Sequence, residues 1–120
     1  MSQKSDNPRV LGDEHPHTIL AMGNLASTYG YQGKWKEAEE LWVQALEMTR
    51  RILGDEHPHT ILAMGNLAAT YRDQGKWQEA EELKVQVLEM RRRVLGDEHP
   101  HTLTAMDNLA VTYHNQQQGA

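Results

Sequence analysis

The sequence predicts an all-α solenoid in which antiparallel helix pairs stack in chain order. The first observation behind this prediction is a repeat. The segment LGDEHPHT stands at residues 11–18, 53–60 and 95–102, a period of 42 residues. The text between these segments is nearly identical in the two complete units. Each unit also contains two stretches with helical spacing of apolar residues and none with strand-like alternation. A period of about 20–50 residues is typical of stacked-repeat proteins, so it outweighs any single-residue motif.

The period divides the 120-residue chain into four parts. Residues 1–10 are polar and aperiodic and are interpreted as a disordered leader. A first unit spans 11–52, a second spans 53–94, and a half unit occupies 95–120. The half unit contains one helix only, followed by the tail Gln116–Ala120, which we expect to be frayed. A chain of this length buries roughly two-thirds of its unfolded surface and can form one cooperative unit.

Each unit is predicted to open with a helix, which we call helix A. In the first unit it begins at Pro16, because proline suits the first helical turn, where its missing N–H would have no partner. It ends near Tyr31, before Gly33, which is free to adopt a positive φ at the C-terminal cap. The second and third copies are predicted at about residues 58–73 and 100–115. The apolar stripe of the first copy consists of Ile19, Met22, Leu25, Ala26 and Tyr29.

The two complete units continue with a second helix, helix B, predicted at about residues 35–52 and 77–94. Acidic residues stand in its first turns and arginines in its last. This order complements the helix dipole and contributes a few tenths of a kcal/mol per charge. Gly54 and Gly96 end the two copies. Five helices are therefore expected, and short connections make sequential neighbours antiparallel.

Small residues are expected where the two helices of a pair approach most closely. They are Ala26, Ala38, Ala68 and Ala80. One position near this interface changes character, because Trp42 of the first unit is replaced by Lys84 in the second. We expect looser packing there.

Composition argues against several classes of function. The chain carries a formal net charge of -5 at pH 7, so we expect no partner among nucleic acids or anionic membranes. It contains no cysteine, which removes disulfides, thiol nucleophiles and thiolate metal sites and fits a cytoplasmic protein. No apolar run approaches the roughly 20 residues of a membrane span, and no signal-peptide pattern opens the chain.

The motifs that suggest catalysis or metal binding have simpler interpretations. Histidines two residues apart, as in HPH, do not face each other on a helix, and no carboxylate cluster completes a metal shell. The upstream histidine is therefore interpreted as a helix cap. Gly33-Lys34 lacks the flanking residues of a phosphate loop and is interpreted as a turn. Carboxylate pairs such as Glu39-Glu40 have no nearby base or nucleophile. We expect no enzymatic activity, no metal and no cofactor.

The run Arg91–Arg93 has two explanations. It contacts phosphate or an acidic protein, or it is a solvated partner of the dipole at the end of helix B, which is the more usual role of such a run.

Four short segments of the first unit together resemble the tetratricopeptide repeat. They are Asn24-Leu25-Ala26-x-x-Tyr29, Gly33-Lys34-Trp35, Glu37-Ala38 and Ala45-Leu46-Glu47. The 42-residue period and the LGxxHP linker are similar to those of the kinesin-light-chain branch of that family. The resemblance covers residues 11–113 and implies a right-handed solenoid of about two and a half repeats. It also implies a non-enzymatic, protein-binding function.

The resemblance further implies where a ligand would bind, because helix A lines the concave groove of such repeats. Helix A differs between the first and third units at positions that mostly share one side, away from the apolar stripe. The predicted groove residues are Leu20, Gly23, Asn24, Ser27, Tyr31, Leu62, Asn66, Ala69, Arg72, Asp73, Thr104, Asp107, Asn108 and Val111. The competing explanation is that solvent-exposed positions drift because they are weakly constrained.

An asparagine recurs in this predicted groove at positions 24, 66 and 108. The resemblance implies that its amide, which can donate and accept at once, holds the backbone of a bound peptide. The alternative is that it braces neighbouring helices. Arg72 is expected to be the main cation of the groove, beside Asp73 and Asp107. Neither a clamped carboxylate terminus nor an acidic, tryptophan-bearing peptide is supported by these residues.

We therefore expect a protein–protein interaction module that captures a peptide or a partner helix in the groove. Two alternatives stay open: a structural spacer or self-association segment of a larger signalling protein, and an idealised or amplified repeat sequence. Self-association end to end is suggested by the half unit, where the missing helix B leaves part of the helix A stripe uncovered. That stripe consists of Met106, Leu109, Ala110 and Tyr113.

Overall fold

The structure, a computed structural model, describes residues 16–119 and the side chains of residues 17–117. The expected leader at residues 1–10 lies outside this range. The described residues form five helices joined by short turns, and none of them forms a strand. The helices are α1 (Pro16–Tyr31), α2 (Trp35–Leu53), α3 (Pro58–Asp73), α4 (Trp77–Leu95) and α5 (Pro100–Gly119). Extensive contacts join helices that are consecutive in the chain, which confirms the predicted solenoid of helix pairs.

The turns within the two complete units depend on glycine in a left-handed conformation. Gly33 has φ 78° and Gly75 has φ 79°, backbone angles that residues other than glycine rarely adopt. The turn is closed by the N–H of Lys34, which donates to the carbonyl of Tyr29 at 2.8 Å, and the N–H of Lys76 donates in the same way to Tyr71. Helix A therefore ends where the sequence predicted in both complete units.

The prediction for the end of α5 is wrong. We expected the helix to stop near Asn115 with a frayed tail, but it continues to Gly119. The reason is that Gln117 stands where the first two units have the turn glycine, so nothing breaks the helix there. The additional C-terminal turn of α5 is also held in place, because the Gln116 amide donates to the Trp77 carbonyl at 3.1 Å and to Glu81 Oε1 at 2.7 Å.

Polar contacts of one type link successive units. In the preceding unit Gln74, which is equivalent to Gln116, donates to Glu39 Oε1 at 2.8 Å, and Lys76 Nζ lies 3.2 Å from the same oxygen. Burial alone would raise the pKa of Glu39, but the hydrogen bonds from Gln74 and Lys76 lower it below its usual value. Equivalent contacts therefore fix the C-terminal end of α3 to α2 and the C-terminal end of α5 to α4.

The predicted close-approach positions are confirmed. The side chains of all four are completely or almost completely buried; they are Ala26, Ala38, Ala68 and Ala80. The core is concentrated around α3, which is packed between α2 and α4 and contributes Ile61, Met64 and Leu67. Small residues at the contacts allow the helices to pack closely around these larger side chains.

The expectation of looser packing at Lys84 does not agree with the structure. Lys84 is only 9% exposed, whereas Trp42, its counterpart in the first unit, is half-buried. The apolar stem of lysine is long enough to pack between helices while its amine reaches a polar partner. Here Lys84 Nζ lies 3.5 Å from the Asn108 carbonyl oxygen on α5. Burial, and secondarily the charge of Arg72, lowers the pKa of Lys84.

Across residues 16–119, no helix is both long enough and apolar enough to span a membrane.

Candidate binding groove

Two cavities lie between the A helices and the B helices that support them. The first has a volume of about 460 Å3, is open to solvent and is bounded by α1, α2 and α3. The second, of about 260 Å3, lies between α3, α4 and α5. Leu62 and Asn66 of α3 belong to both walls, so the two cavities adjoin. We call the two together the groove.

Eight of the fourteen predicted groove residues lie in these walls. The first cavity contains Leu20, Gly23, Asn24, Ser27, Leu62 and Asn66. The second contains Leu62, Asn66, Thr104 and Asn108. The other six do not line either cavity: Tyr31, Ala69, Arg72, Asp73, Asp107 and Val111. Tyr31, the last residue of α1, is 92% exposed, and Arg72 Nη2 lies 3.4 Å from Asp73 Oδ1 outside both cavities.

The three asparagines have side-chain amides that make no hydrogen bond within the described part of the chain. Asn24 and Asn108 are exposed and Asn66 is half-buried. Their backbone carbonyls are engaged, because Thr28, Thr70 and Thr112 donate to them from one turn later. The hydrogen bonds at these three positions thus involve the backbone carbonyls, and the side-chain amides stay available to a ligand. The described contacts provide no support for the alternative in which the amides brace neighbouring helices.

Gly23 has a role that the sequence did not reveal. A Cβ atom at this position would lie 3.3 Å from two ring carbons of Trp42, Cη2 and Cζ3. The equivalent Gly65 has no such neighbour, because Lys84 replaces the tryptophan in its unit. Glycine at position 23 thus lets the Trp42 ring lie directly against α1 and form part of the floor of the first cavity.

Helix B supplies a wall that was not predicted, because only helix A was compared between units to locate the groove. The first cavity contains Trp42, Ala45 and Thr49, and the second contains Val87 and Arg91. A signal was present, because the two complete units differ at 42/84, 45/87 and 49/91, positions separated by three and four residues. That spacing places them on one face of the helix. Comparing the units along helix B would have identified this face.

The second histidine of each HPH segment was also missed. His17 and His59 line the first cavity and His101 lines the second. His17 precedes Leu20 by three residues and Asn24 by seven, so helical spacing alone places it on the groove face. The groove therefore carries one histidine from each unit.

The first histidine of the segment is a cap, as the sequence predicted. His57 Nδ1 accepts the N–H of His59 at 3.0 Å, and His99 Nδ1 accepts the N–H of His101 at 3.0 Å. The His57 and His59 rings are 5.1 Å apart, centroid to centroid. No group of three or more potential metal ligands occurs among residues 16–119. The first unit's cap, His15, lies outside the described residues.

The two cavities differ in charge. No lysine, arginine or carboxylate lines the first cavity, whose wall is predominantly apolar. The second contains Arg91, which is half-buried, and burial lowers the pKa of its guanidinium. Arg72, which was predicted to be the main cation of the groove, lines neither cavity. Arg72 is near Asp73 outside both cavities, and the cation in the wall comes from helix B.

The sequence matches a family model described as tetratricopeptide repeat over residues 17–92 and 64–119. Among solved structures it is similar to a Podosopora anserina protein described as a putative kinesin light chain with nearly identical TPR-like repeats. The identity is 32%, the TM-score is 0.81, and the match covers 95% of this chain and 54% of that one. A form of that protein with one substitution gives the same values. This chain thus spans about half the length of those relatives.

A more distant likeness concerns the fold alone. BtubC (BKLC) from P. vanneervenii is 21% identical with a TM-score of 0.75, over 96% of this chain and 42% of that one. No protein of curated function matches the sequence significantly.

Proposed function

Because the chain belongs to the tetratricopeptide repeat family, we propose that it is a binding module that holds a peptide or a partner helix in its groove. Repeats of this family mediate protein–protein interaction and are typically non-enzymatic scaffolds. The observation that carries the proposal is the row of three asparagine amides, one per unit, that make no hydrogen bond within the described residues. A primary amide can pair with both the N–H and the C=O of a peptide backbone.

The shape of the first cavity supports the same proposal. A volume of about 460 Å3 falls within the range of roughly 300–1,000 Å3 that is usual for ligand sites. Its wall combines Leu20, Trp42 and Leu62 with the amides of Asn24 and Asn66. An apolar side chain of the ligand would be buried against the first three, which stabilises the complex by about 1.5–3 kcal/mol. The amides would then fix the position of the adjoining backbone.

We also place the protein in the cytoplasm as part of this proposal, since its 120 residues include no cysteine.

The proposal is tested by selecting binders from a displayed library of random peptides, each about a dozen residues long, and measuring their affinity for groove variants. Leu62→Glu changes a residue that is 55% exposed and belongs to both cavity walls. It should weaken binding about tenfold or more, because the ligand's apolar side chain would then meet a carboxylate. Leu103→Glu is the matched control, since Leu103 is a similarly exposed leucine of helix A that does not line the groove.

The expected result is a loss of binding for Leu62→Glu and full binding for Leu103→Glu. Selected peptides that bind both variants as tightly as the parent would contradict a groove site. A library that yields no saturable binder would do the same.

A second proposal concerns self-association through the ends of the solenoid. Apolar residues are exposed at both, with Leu25 of α1 at 45% and Tyr113 of α5 at 41%. Part of the stripe of Met106, Leu109, Ala110 and Tyr113 was predicted to be uncovered. Ala110 and Tyr113 are exposed, whereas Met106 and Leu109 pack against the core. Leu103 takes their place among the exposed residues. We propose weak, reversible contact between copies through these end faces.

A further inference from the structure

Arg91 of α4 lies in the wall of the second cavity without a partner of opposite charge. Its side chain is half-buried, and it makes no ion pair and no hydrogen bond within residues 16–119. Burial lowers the pKa of its guanidinium, because the charged form loses part of its hydration. A cation that is partly removed from water is normally paired. The second cavity therefore carries a cation that is available to a ligand.

The other two arginines of the run are in a different situation. Arg92 and Arg93 are both exposed. Arg92 Nε lies 3.6 Å from Asp97 Oδ1, and Arg93 Nε lies 2.6 Å from Glu56 Oε2. These two arginines have surface ion pairs and stand in the last turn of α4, where positive charge complements the helix dipole. Arg91 has the position but not the ion pair, so it calls for a separate explanation.

The cation is a feature of the second unit alone. In the first unit the equivalent position is Thr49, which is 1% exposed and whose hydroxyl donates to the Leu46 carbonyl at 2.9 Å. Thr49 thus satisfies its hydrogen bond within its own helix, whereas Arg91 does not. The two cavities therefore offer a ligand different chemistry, although the units that form them are nearly identical in sequence.

The other polar residues in the wall of the second cavity can all donate hydrogen bonds. They are Asn66 of α3 and His101, Thr104 and Asn108 of α5. No carboxylate lines this cavity in the part of the chain that the structure describes. Donors from α3, α4 and α5 thus surround one cavity that contains a single cation. We call Arg91 and these four residues the Arg91 subsite.

We propose that the Arg91 subsite binds the phosphate of a phosphorylated serine or threonine in the peptide held by the groove, an inference that rests on the function proposed above. A phosphate monoester carries a charge of about −1.5 to −2 at neutral pH and three strong acceptor oxygens. A guanidinium pairs with it through two parallel hydrogen bonds. The remaining acceptor sites match the donors of α3 and α5. A carboxylate has one charge and two oxygens and would leave part of this donor set unused.

The size and position of the second cavity suit one residue of a longer ligand. Its volume of about 260 Å3 is below the roughly 300–1,000 Å3 that is usual for sites of whole small molecules. Leu62 and Asn66 belong to the walls of both cavities. A peptide with an apolar side chain in the first cavity therefore places a nearby residue in the second. Phosphorylation of that residue would strengthen binding without any change in this chain.

The test starts from a library-selected peptide whose binding is lost with Leu62→Glu, so that the groove site is established first. Each residue of this peptide is replaced in turn by serine, by phosphoserine and by glutamate, and affinities are measured by fluorescence anisotropy at neutral pH. At one position, phosphoserine should raise affinity over serine about tenfold or more, which corresponds to one hydrogen bond to a charged group. Glutamate at that position should give a smaller gain.

Two variants of the chain locate the phosphate. Arg91→Gln should bring the affinities for the phosphoserine and serine peptides close to each other, because the guanidinium is removed. Arg92→Gln is the matched control, since Arg92 is the neighbouring arginine and lines neither cavity. It should keep the difference between the two peptides. Melting temperatures of both variants are measured in parallel, so that a folding defect is distinguished from a lost site.

Phosphate recognition is overturned if phosphoserine raises affinity at no position, or if glutamate does so equally well. It is also overturned if the gain survives Arg91→Gln, or if Arg92→Gln removes it to the same extent. Each of these results would be obtained with a peptide that still depends on Leu62, so the groove itself would stand. A library that yields no peptide dependent on Leu62 would instead refute the groove, and this inference with it.

Discussion

Ala68 and Ala110 occupy the same register of helix A, yet only one of them is covered, and this makes a matched test of the packing. Ala68 has no exposed surface, whereas Ala110 is exposed on α5. Replacing either alanine with leucine adds the same three carbon atoms in the same helical context. At Ala68 those atoms would have to enter the contact between α3 and α4, where no space is available.

We expect Ala68→Leu to lower the free energy of unfolding by about 1–3 kcal/mol, the usual cost of overpacking. For a chain of this size, that corresponds to a decrease in melting temperature of roughly 4–12 °C. Ala110→Leu should change stability by less than about 0.5 kcal/mol, since the added atoms meet solvent. Urea titrations and thermal melts followed by circular dichroism measure both variants. Equal stability losses, or none in either, would refute the placement of the interface between helices A and B.

Three further predictions concern other parts of the chain. His57→Ala should lower the free energy of unfolding by about 0.5–2 kcal/mol, because the N–H of His59 loses its acceptor. His57→Asn should restore most of that stability in thermal melts. An equal loss in both variants would argue against capping. Lys84→Met should raise stability, because it removes a buried charge while keeping the volume. Since burial lowers the pKa of Lys84 below 10.5, the stability of the parent should approach that of this variant as the pH rises and the amine becomes neutral. A difference in melting temperature that stays constant with pH would contradict this. Leu103→Glu should reduce any reversible mass increase seen by sedimentation equilibrium, and unchanged association would exclude the exposed apolar residues of α5 as the contact.

Most of the fold could be predicted because the same helix–turn–helix pattern occurs more than once in the sequence. The same residue types stand 42 positions before Pro58, Gly75 and the buried Ala68. A pattern present in several copies is far less ambiguous than a single one. The errors occurred where a copy departs from the plan. Gln117 replaces the turn glycine, and a period-based prediction ended α5 too early. Lys84 stands where the first unit has a tryptophan. Because lysine is charged, the residue type alone did not indicate that the apolar stem of the side chain packs between helices.

The groove was predicted less completely because a groove needs two walls. Helix A was compared between units and yielded Leu62, Asn66 and their equivalents, whereas helix B was considered only as core. The contribution of Arg91 became evident only when the packing placed helix B beside the neighbouring helix A. Exposure at the chain's ends likewise depends on which neighbour is present, and register alone could not separate the half-buried Leu109 from the exposed Leu103.

The central claim is that the asparagine row binds a peptide backbone, and Asn66 tests it most directly because it lies in both cavities. The measurement compares parent and Asn66→Ala by isothermal titration with a selected peptide and by thermal unfolding. Loss of one amide should weaken binding by about 0.5–1.5 kcal/mol. Stability should change much less, because this amide makes no hydrogen bond within the described residues. A variant that binds the peptide as tightly as the parent but unfolds more easily would contradict the account and identify Asn66 as a structural brace.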